Sequence, residues 1–238
     1  LILVAPGTYK ENFSLLPYIS IKGYGKETTF IEPDDSTTSG ATHIKITTDS
    51  SLLDLTLRFE NSLDLLNLIL LDIDSDYGRS SVSTTNFTNR SLIKNVNFEL
   101  TDINSIKCVK VTKGILTFED SFINLKQDEY NSLQDSDINI FNLSGSTDLD
   151  FISSKIEVRS NHQDVICFYG DGANITILNS FIQTDENLSE EILSTSTNNI
   201  FKSYSSDIVV RNSQIINNSL NGINFELLDS SSTSMLEI

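Results

Sequence analysis

Tryptophan is absent from this 238-residue chain, and cysteine, histidine, methionine and proline together number eight. Two cysteines are too few for a disulfide framework. Two histidines, His43 and His162, have no neighbouring cysteine or second histidine, so no zinc-type spacing and no cofactor site can be read. Basic residues are also scarce, 16 Lys and Arg against 33 Asp and Glu. The resulting net charge of −17 repels phosphate backbones and anionic lipid heads, which argues against nucleic acid as a partner. Long apolar runs are missing too. The most apolar, "LLNLILL" at Leu65 to Leu71, is far too short to span a bilayer, so membrane insertion is not expected. Disorder is equally disfavoured, because 38% of residues are hydrophobic and they recur throughout the chain. A chain that opens on Leu1 and stops at Ile238 inside an apolar alternation reads as a portion of something longer.

What is present in abundance is a repeated ten-residue phrase: "LTFEDSFINL" at Leu116, "ITILNSFIQT" at Ile175 and "IVVRNSQIIN" at Ile208. Aligned copies start at Ser50, Ser91, Leu116, Leu149, Ile175 and Ile208. Two positions on stand Leu52, Ile93, Phe118, Phe151, Ile177 and Val210; five on, Leu55, Val96, Ser121, Ser154, Ser180 and Ser213; seven on, Leu57, Phe98, Ile123, Ile156, Ile182 and Ile215. Alternation within each copy predicts strands. It slips by one residue between the second and third columns, which would turn the following side chains outward unless the chain bends there. The residue at the slip is Asp54, Asn95, Asp120, Ser153, Asn179 or Asn212. These are short polar side chains that tolerate left-handed backbone angles, suited to a corner and able to form a hydrogen-bonded ladder from copy to copy.

Anchor spacings of 41, 25, 33, 26 and 33 residues suit turns of a coil with two or three short strands each. The expected fold is therefore all-β: a single-stranded right-handed parallel β-helix, or solenoid, of roughly seven or more coils. One domain covers 1–238, with N-terminal coils at 1–48 and repeated coils at 49–238 interrupted by insertions at 74–90, 126–137 and 184–199. The alternative, an antiparallel sandwich, would not need the same corner chemistry at one column in six copies. Cys108 and Cys167 both precede an anchor by eight residues, with one coil between them. That places them roughly 9 to 10 Å apart, too far for a disulfide, so two buried free thiols are expected.

The segment "VAPGTYKENFSLLPYISIKGYGKETTFIEP", Val4 to Pro33, resembles the opening coils of the pectin-lyase-like superfamily of right-handed parallel β-helix proteins, pectinesterases included. The resemblance rests on Pro6, Gly7, Thr8, Tyr9 and Glu11, then Ile19, Ile21, Gly23, Gly25, Thr29 and Ile31. Gly23 and Gly25 permit a corner with unusual angles. The resemblance implies a fold used by lyases, hydrolases, esterases, tailspikes, adhesins and viral surface proteins alike.

Catalytic motifs are sparse. "GSTDLDFISS", Gly145 to Ser154, is similar to a pectinesterase carboxylate motif at Asp150, Phe151 and Ile152, but the Gln-Asp pair, Gln163 and Asp164, lies downstream of it, where that family has it upstream, and the Arg-and-Trp element has no counterpart. Asp34 and Asp35 are adjacent and would face opposite ways on a strand. Arg159, His162 and Asp164 are close enough to suggest a lyase-type base beside acids, and equally suit a solvated corner. Seven Asn-x-Ser/Thr sequons, at Asn12, Asn86, Asn89, Asn142, Asn174, Asn187 and Asn217, fit a secretory route or an Asn- and Ser-rich composition.

Two insertions, within 126–137 and 184–199, leave their coils at equivalent places and should emerge on one side, two coils apart, a usual position for recognition loops. Three function classes follow. The first is a non-catalytic structural or receptor- or glycan-contacting domain on an extracellular or virion surface, fibre-like, tailspike-like or adhesin-like, with a homotrimer as one arrangement. The second is a polysaccharide-processing enzyme with acids from different coils. The third is a carbohydrate-binding module using Tyr130, Tyr169 and Tyr204 as stacking platforms.

Overall fold

A computed structural model describes residues 1–34, 37, 41–60, 68–74, 90–103, 106–127, 138–160, 164–186, 198–218, 223–227 and 235–237. Among them every regular element is a strand: β1 Ile2–Val4, β2 Gly7–Lys10, β3 Phe13–Ser14, β4 Ser20–Gly23, β5 Thr29–Glu32, β6 Thr42–Ile46, β7 Ser51–Glu60, β8 Leu68–Asp74, β9 Arg90–Thr101, β10 Ile106–Glu119 and β11 Phe122–Lys126. There follow β12 Ile138–Ser144, β13 Thr147–Ile152, β14 Lys155–Ser160, β15 Val165–Asp171, β16 Asn174–Leu178, β17 Phe181–Glu186, β18 Asn198–Tyr204, β19 Asp207–Arg211, β20 Gln214–Asn218, β21 Ile223–Leu227 and β22 Met235–Glu237.

From β12 onward each strand pairs in parallel with the strand three places later, for example β12 with β15, β13 with β16 and β14 with β17. Earlier strands follow the same rule in fused form. The first half of β10 pairs with β8 and β12 and its second half with β9 and β13. The result is one large, curled parallel sheet, solenoid-like in its stacking, and parallel pairing rules out the antiparallel sandwich.

Its register follows the repeat columns. Leu52, Ile93, Phe118, Phe151, Ile177 and Val210 face one another in succession. So do Leu57, Phe98, Ile123, Ile156, Ile182 and Ile215. The walls close on a phenylalanine core. Phe118 stacks on Phe151 at 5.4 Å and 12°, and on the facing wall Phe141 stacks on Phe168 at 5.3 Å and 4°. Across the core, Phe118 meets Phe141 edge-on at 5.3 Å and Phe151 meets Phe168 at 5.7 Å. Stacked and edge-on pairs each add about 0.5–1.5 kcal/mol beyond area burial.

At the corner between β13 and β14, and at its equivalents, Asp54, Asn95, Asp120, Ser153, Asn179 and Asn212 have φ of 53°, 54°, 50°, 48°, 51° and 51°. This left-handed step absorbs the slip, so the residues on both sides of the corner stay in the core. The side-chain ladder runs elsewhere than along this column. Between successive corner residues a side-chain bond occurs at Asn95 Nδ2 to Asp54 Oδ1, 2.6 Å. The continuous ladder lies one residue later, where Ser154 Oγ accepts from Ser121 N, Ser180 Oγ from Ser154 N and Ser213 Oγ from Ser180 N, at 3.1, 3.2 and 3.1 Å. Each hydroxyl also donates to the carbonyl two residues back, as Ser154 does to Ile152 O at 2.7 Å. The reason is orientation: the left-handed step turns Asp120, Ser153, Asn179 and Asn212 to solvent, whereas Ser121, Ser154 and Ser180 point inward and are buried. Buried hydroxyls need both partners.

Of Gly23 and Gly25, Gly25 has an unusual φ of 154°. Gly23 is required by space instead, since a Cβ there would lie 2.4 Å from Asp54 O. Cys108 and Cys167 are buried, free, and separated by the Ile140 strand. Burial pushes both thiols up, Cys167 to about 12.

Candidate functional site

The wall made by β11, β14, β17 and β20 presents three outward files. Alternation sends Ile123, Ile156 and Ile182 into the core and leaves the intervening positions outside. In register, these are Phe122, Lys155, Phe181 and Gln214; then Asn124, Glu157, Gln183 and Ile216; then Lys126, Arg159, Asp185 and Asn218. Successive members of a file are about 4.8 Å apart.

The first file borders an open groove of about 840 Å3 that runs along the corner, with Asp120, Ser153, Asn179 and Asn212 on its opposite bank. Lys155 Nζ lies 5.2 Å from the centroid of Phe122 and 5.3 Å from that of Phe181, held between two rings. It is also ion-paired to Glu157 Oε1 at 2.5 Å. At the far edge of the wall is a smaller hollow of about 170 Å3, lined by Asn124, Lys126, Glu157, Arg159, Gln183 and Asp185 among others. Asp185 there accepts from Gln183 Nε2 and from Asn218 Nδ2, both at 2.7 Å.

Those of the residues singled out from sequence that are described lie at separate places. Asp150 is on β13, across the corner from this wall, where its carboxylate takes Arg90 Nη1 at 2.9 Å; the same nitrogen donates to Thr117 Oγ1 at 2.7 Å. Phe151 is core and Ile152 faces out, as a repeat strand requires. Arg159 lines the small hollow. Asp164 precedes β15, its carbonyl accepting from Ile138 N at 2.9 Å. His162, Tyr130 and Asp35 lie outside the described residues. Tyr169 on β15 and Tyr204 on β18, on the wall that carries Phe141 and Phe168, are half-buried, with ring centroids 6.3 Å apart at 70°. Burial, followed by the charge of Asp171 and then by Tyr204, pushes the Tyr169 hydroxyl up. Among the described residues no group of three or more His, Cys, Asp or Glu is placed to hold a metal ion, and no helix is long and apolar enough to cross a membrane.

Insertion residues 75–89, 128–137 and 187–197 also lie outside the described residues. Their roots are visible: β11 ends at Lys126 and β17 at Glu186, in register through Arg159 and Ser160 of β14. The small hollow therefore sits between the points from which two insertions depart. Sequence reasoning missed Phe122, Lys155 and Phe181. A signal for them exists six residues on from the anchor of each repeat, at Thr56, Asn97, Phe122, Lys155, Phe181 and Gln214: two phenylalanines in a column otherwise polar.

No protein-family model matches the chain, and no curated protein or solved structure does.

Proposed function

We propose that the chain is a non-catalytic, glycan-contacting domain of an exposed surface, wound as a right-handed parallel β-helix of the pectin-lyase-like kind. The handedness follows from the rule that parallel strands joined by crossovers are almost always connected right-handedly. In-register columns extending from β1 to β22 favour a continuous helix.

The glycan reading is carried by one observation, the Phe122–Lys155–Phe181 file along an open groove. Sugar rings have apolar C–H faces that stack on aromatic rings and hydroxyls that pair with amides and carboxylates. Here two rings two layers apart, with Asn179, Asn212 and Gln214 beside them, offer both along a line parallel to the stack. A rigid scaffold presenting such a surface binds without paying to order it.

Two acids of the same wall, Glu157 and Asp185, are engaged by neighbouring side chains, which favours binding over chemistry. Glu157 is paired with Lys155, and both Asp185 oxygens accept amide protons. A glycosidase needs one carboxyl as proton donor and another to activate water or attack.

Glycan-array binding by the wild type, Phe122→Ala/Phe181→Ala and Tyr169→Ala/Tyr204→Ala tests this. Each stacked ring is worth about 1 kcal/mol, so the phenylalanine double variant should bind roughly tenfold or more weakly, and the tyrosine variant should match the wild type. No bound glycan, or undiminished binding by the phenylalanine variant, would remove the proposal.

A further inference from the structure

The small hollow carries a charge arrangement that folding does not explain. In a chain with twice as many acids as bases, cations on the outer walls are mostly used in ion pairs: Lys22 with Asp54, Arg58 with Glu99, Arg90 with Asp150, Lys94 with Glu119, Lys202 with Glu226. Lys126 and Arg159, like Lys26, Lys107 and Lys110, stand outside these pairs, but they alone of these five face each other across neighbouring strands. They occupy facing positions on β11 and β14, both exposed, and neither makes an ion pair among the described residues. Like charges directly opposite on neighbouring strands are destabilising.

The acid that would relieve this repulsion is the next member of the file. Asp185 faces Arg159 on β17, yet its two oxygens accept from Gln183 and Asn218 and make no ion pair with the guanidinium. Two amides hold the carboxylate, and the guanidinium is left turned into the hollow's lining. Planar guanidinium groups match a carboxylate or sulfate with paired hydrogen bonds, and a neighbouring ammonium adds a point charge.

We propose that Lys126 and Arg159 form a subsite for one anionic group, a carboxylate or sulfate ester, carried by an otherwise neutral glycan. The subsite rests on the glycan reading of this wall. It lies four residues along the strands from the aromatic file, about 13 Å, so one oligosaccharide can stack on Phe122 and Phe181 and place a charged unit in the hollow. Sparse charge is part of the specificity. The net charge of −17 opposes a polymer charged at every unit, while a single anion is drawn to the two cations at close range.

The test is an array of matched oligosaccharides, neutral, singly carboxylated, singly sulfated and fully charged, probed with the wild type and Arg159→Gln/Lys126→Gln. Singly charged members should bind at least tenfold more tightly than their neutral counterparts. That ratio should fall to near one in the double variant, whose melting temperature should not drop because a repulsive pair has been removed. Arg159→Lys alone should retain part of the preference. The carboxylated and sulfated arms identify which anion is taken. A wild type without the preference, a preference surviving in the double variant, or tightest binding to fully charged polymers would each overturn the subsite. Neutral binding that still depends on Phe122 and Phe181 would then leave the glycan reading intact; no binding to any member would end both.

Discussion

Truncating Phe151 to alanine removes the side chain on which the core converges. Its ring stacks on Phe118 at 5.4 Å and meets Phe141 and Phe168 edge-on, each at 5.7 Å, and no part of it reaches solvent. Lost transfer energy and the cavity left between two rigid walls together cost about 3–5 kcal/mol for a buried phenylalanine, and relaxation is limited because neighbouring layers are held by ladder bonds. Phe122→Ala is the matched control. It deletes the same atoms from the outer wall, where Phe122 is half-buried against the Lys155 ammonium, a contact worth about 0.5–1 kcal/mol when exposed. Urea unfolding followed by far-ultraviolet circular dichroism should show the midpoint falling steeply for Phe151→Ala and slightly for Phe122→Ala, with similar slopes. At about 2–4 °C per kcal/mol for a chain of this size, the melting temperature should fall by about 10 °C in the first and by a few degrees in the second. Equal losses would refute the assignment of Phe151 to the interior and Phe122 to the wall, and with it the corner between them.

Two further predictions concern backbone and charge. At Asn179, φ of 51° makes Asn179→Gly nearly neutral and Asn179→Val destabilising by about 1–2 kcal/mol, measured by the same urea titration; equal effects would mean the corner is not left-handed. His43 is fully buried, its Nδ1 2.7 Å from Asn12 Oδ1, and burial lowers it from 6.5 to about 4. The unfolded chain therefore binds the extra proton first as pH falls. The neutral ring's contribution is complete above pH 6.5 and is lost progressively down to about pH 4, at a total of about 3 kcal/mol. The stability difference between wild type and His43→Gln should shrink across that window; a difference that does not vary with pH would contradict the buried, neutral ring.

Much of the scaffold is legible in the chain because its causes are local. A column such as Leu52, Ile93, Phe118, Phe151, Ile177 and Val210 recurs at a fixed offset, and each copy has its own reason to alternate and its own short polar residue at the bend. Local patterns do not reveal direction in space, however. The ladder could be expected of the corner residues, since Asn and Asp are good ladder formers, but the left-handed step turns them outward and hands the bonding to the serines behind. Gly23 and Gly25 look equivalent in sequence, yet one is needed for its angle and the other because Asp54 of the next layer passes over it.

The wall shows the same division more strongly. Arg90 and Asp150 are 60 positions apart, and Phe122, Lys155 and Phe181 belong to three separate repeats; nothing within any one repeat links them. The sequence by itself determined the alternation, the corners and the stacking register, since these are properties of ten consecutive residues repeated. Which outward side chains share a wall, and whether a given cation finds an acid or is left facing another cation, depends on what lies one layer above and below. That was decided only when successive layers paired in parallel along the stack.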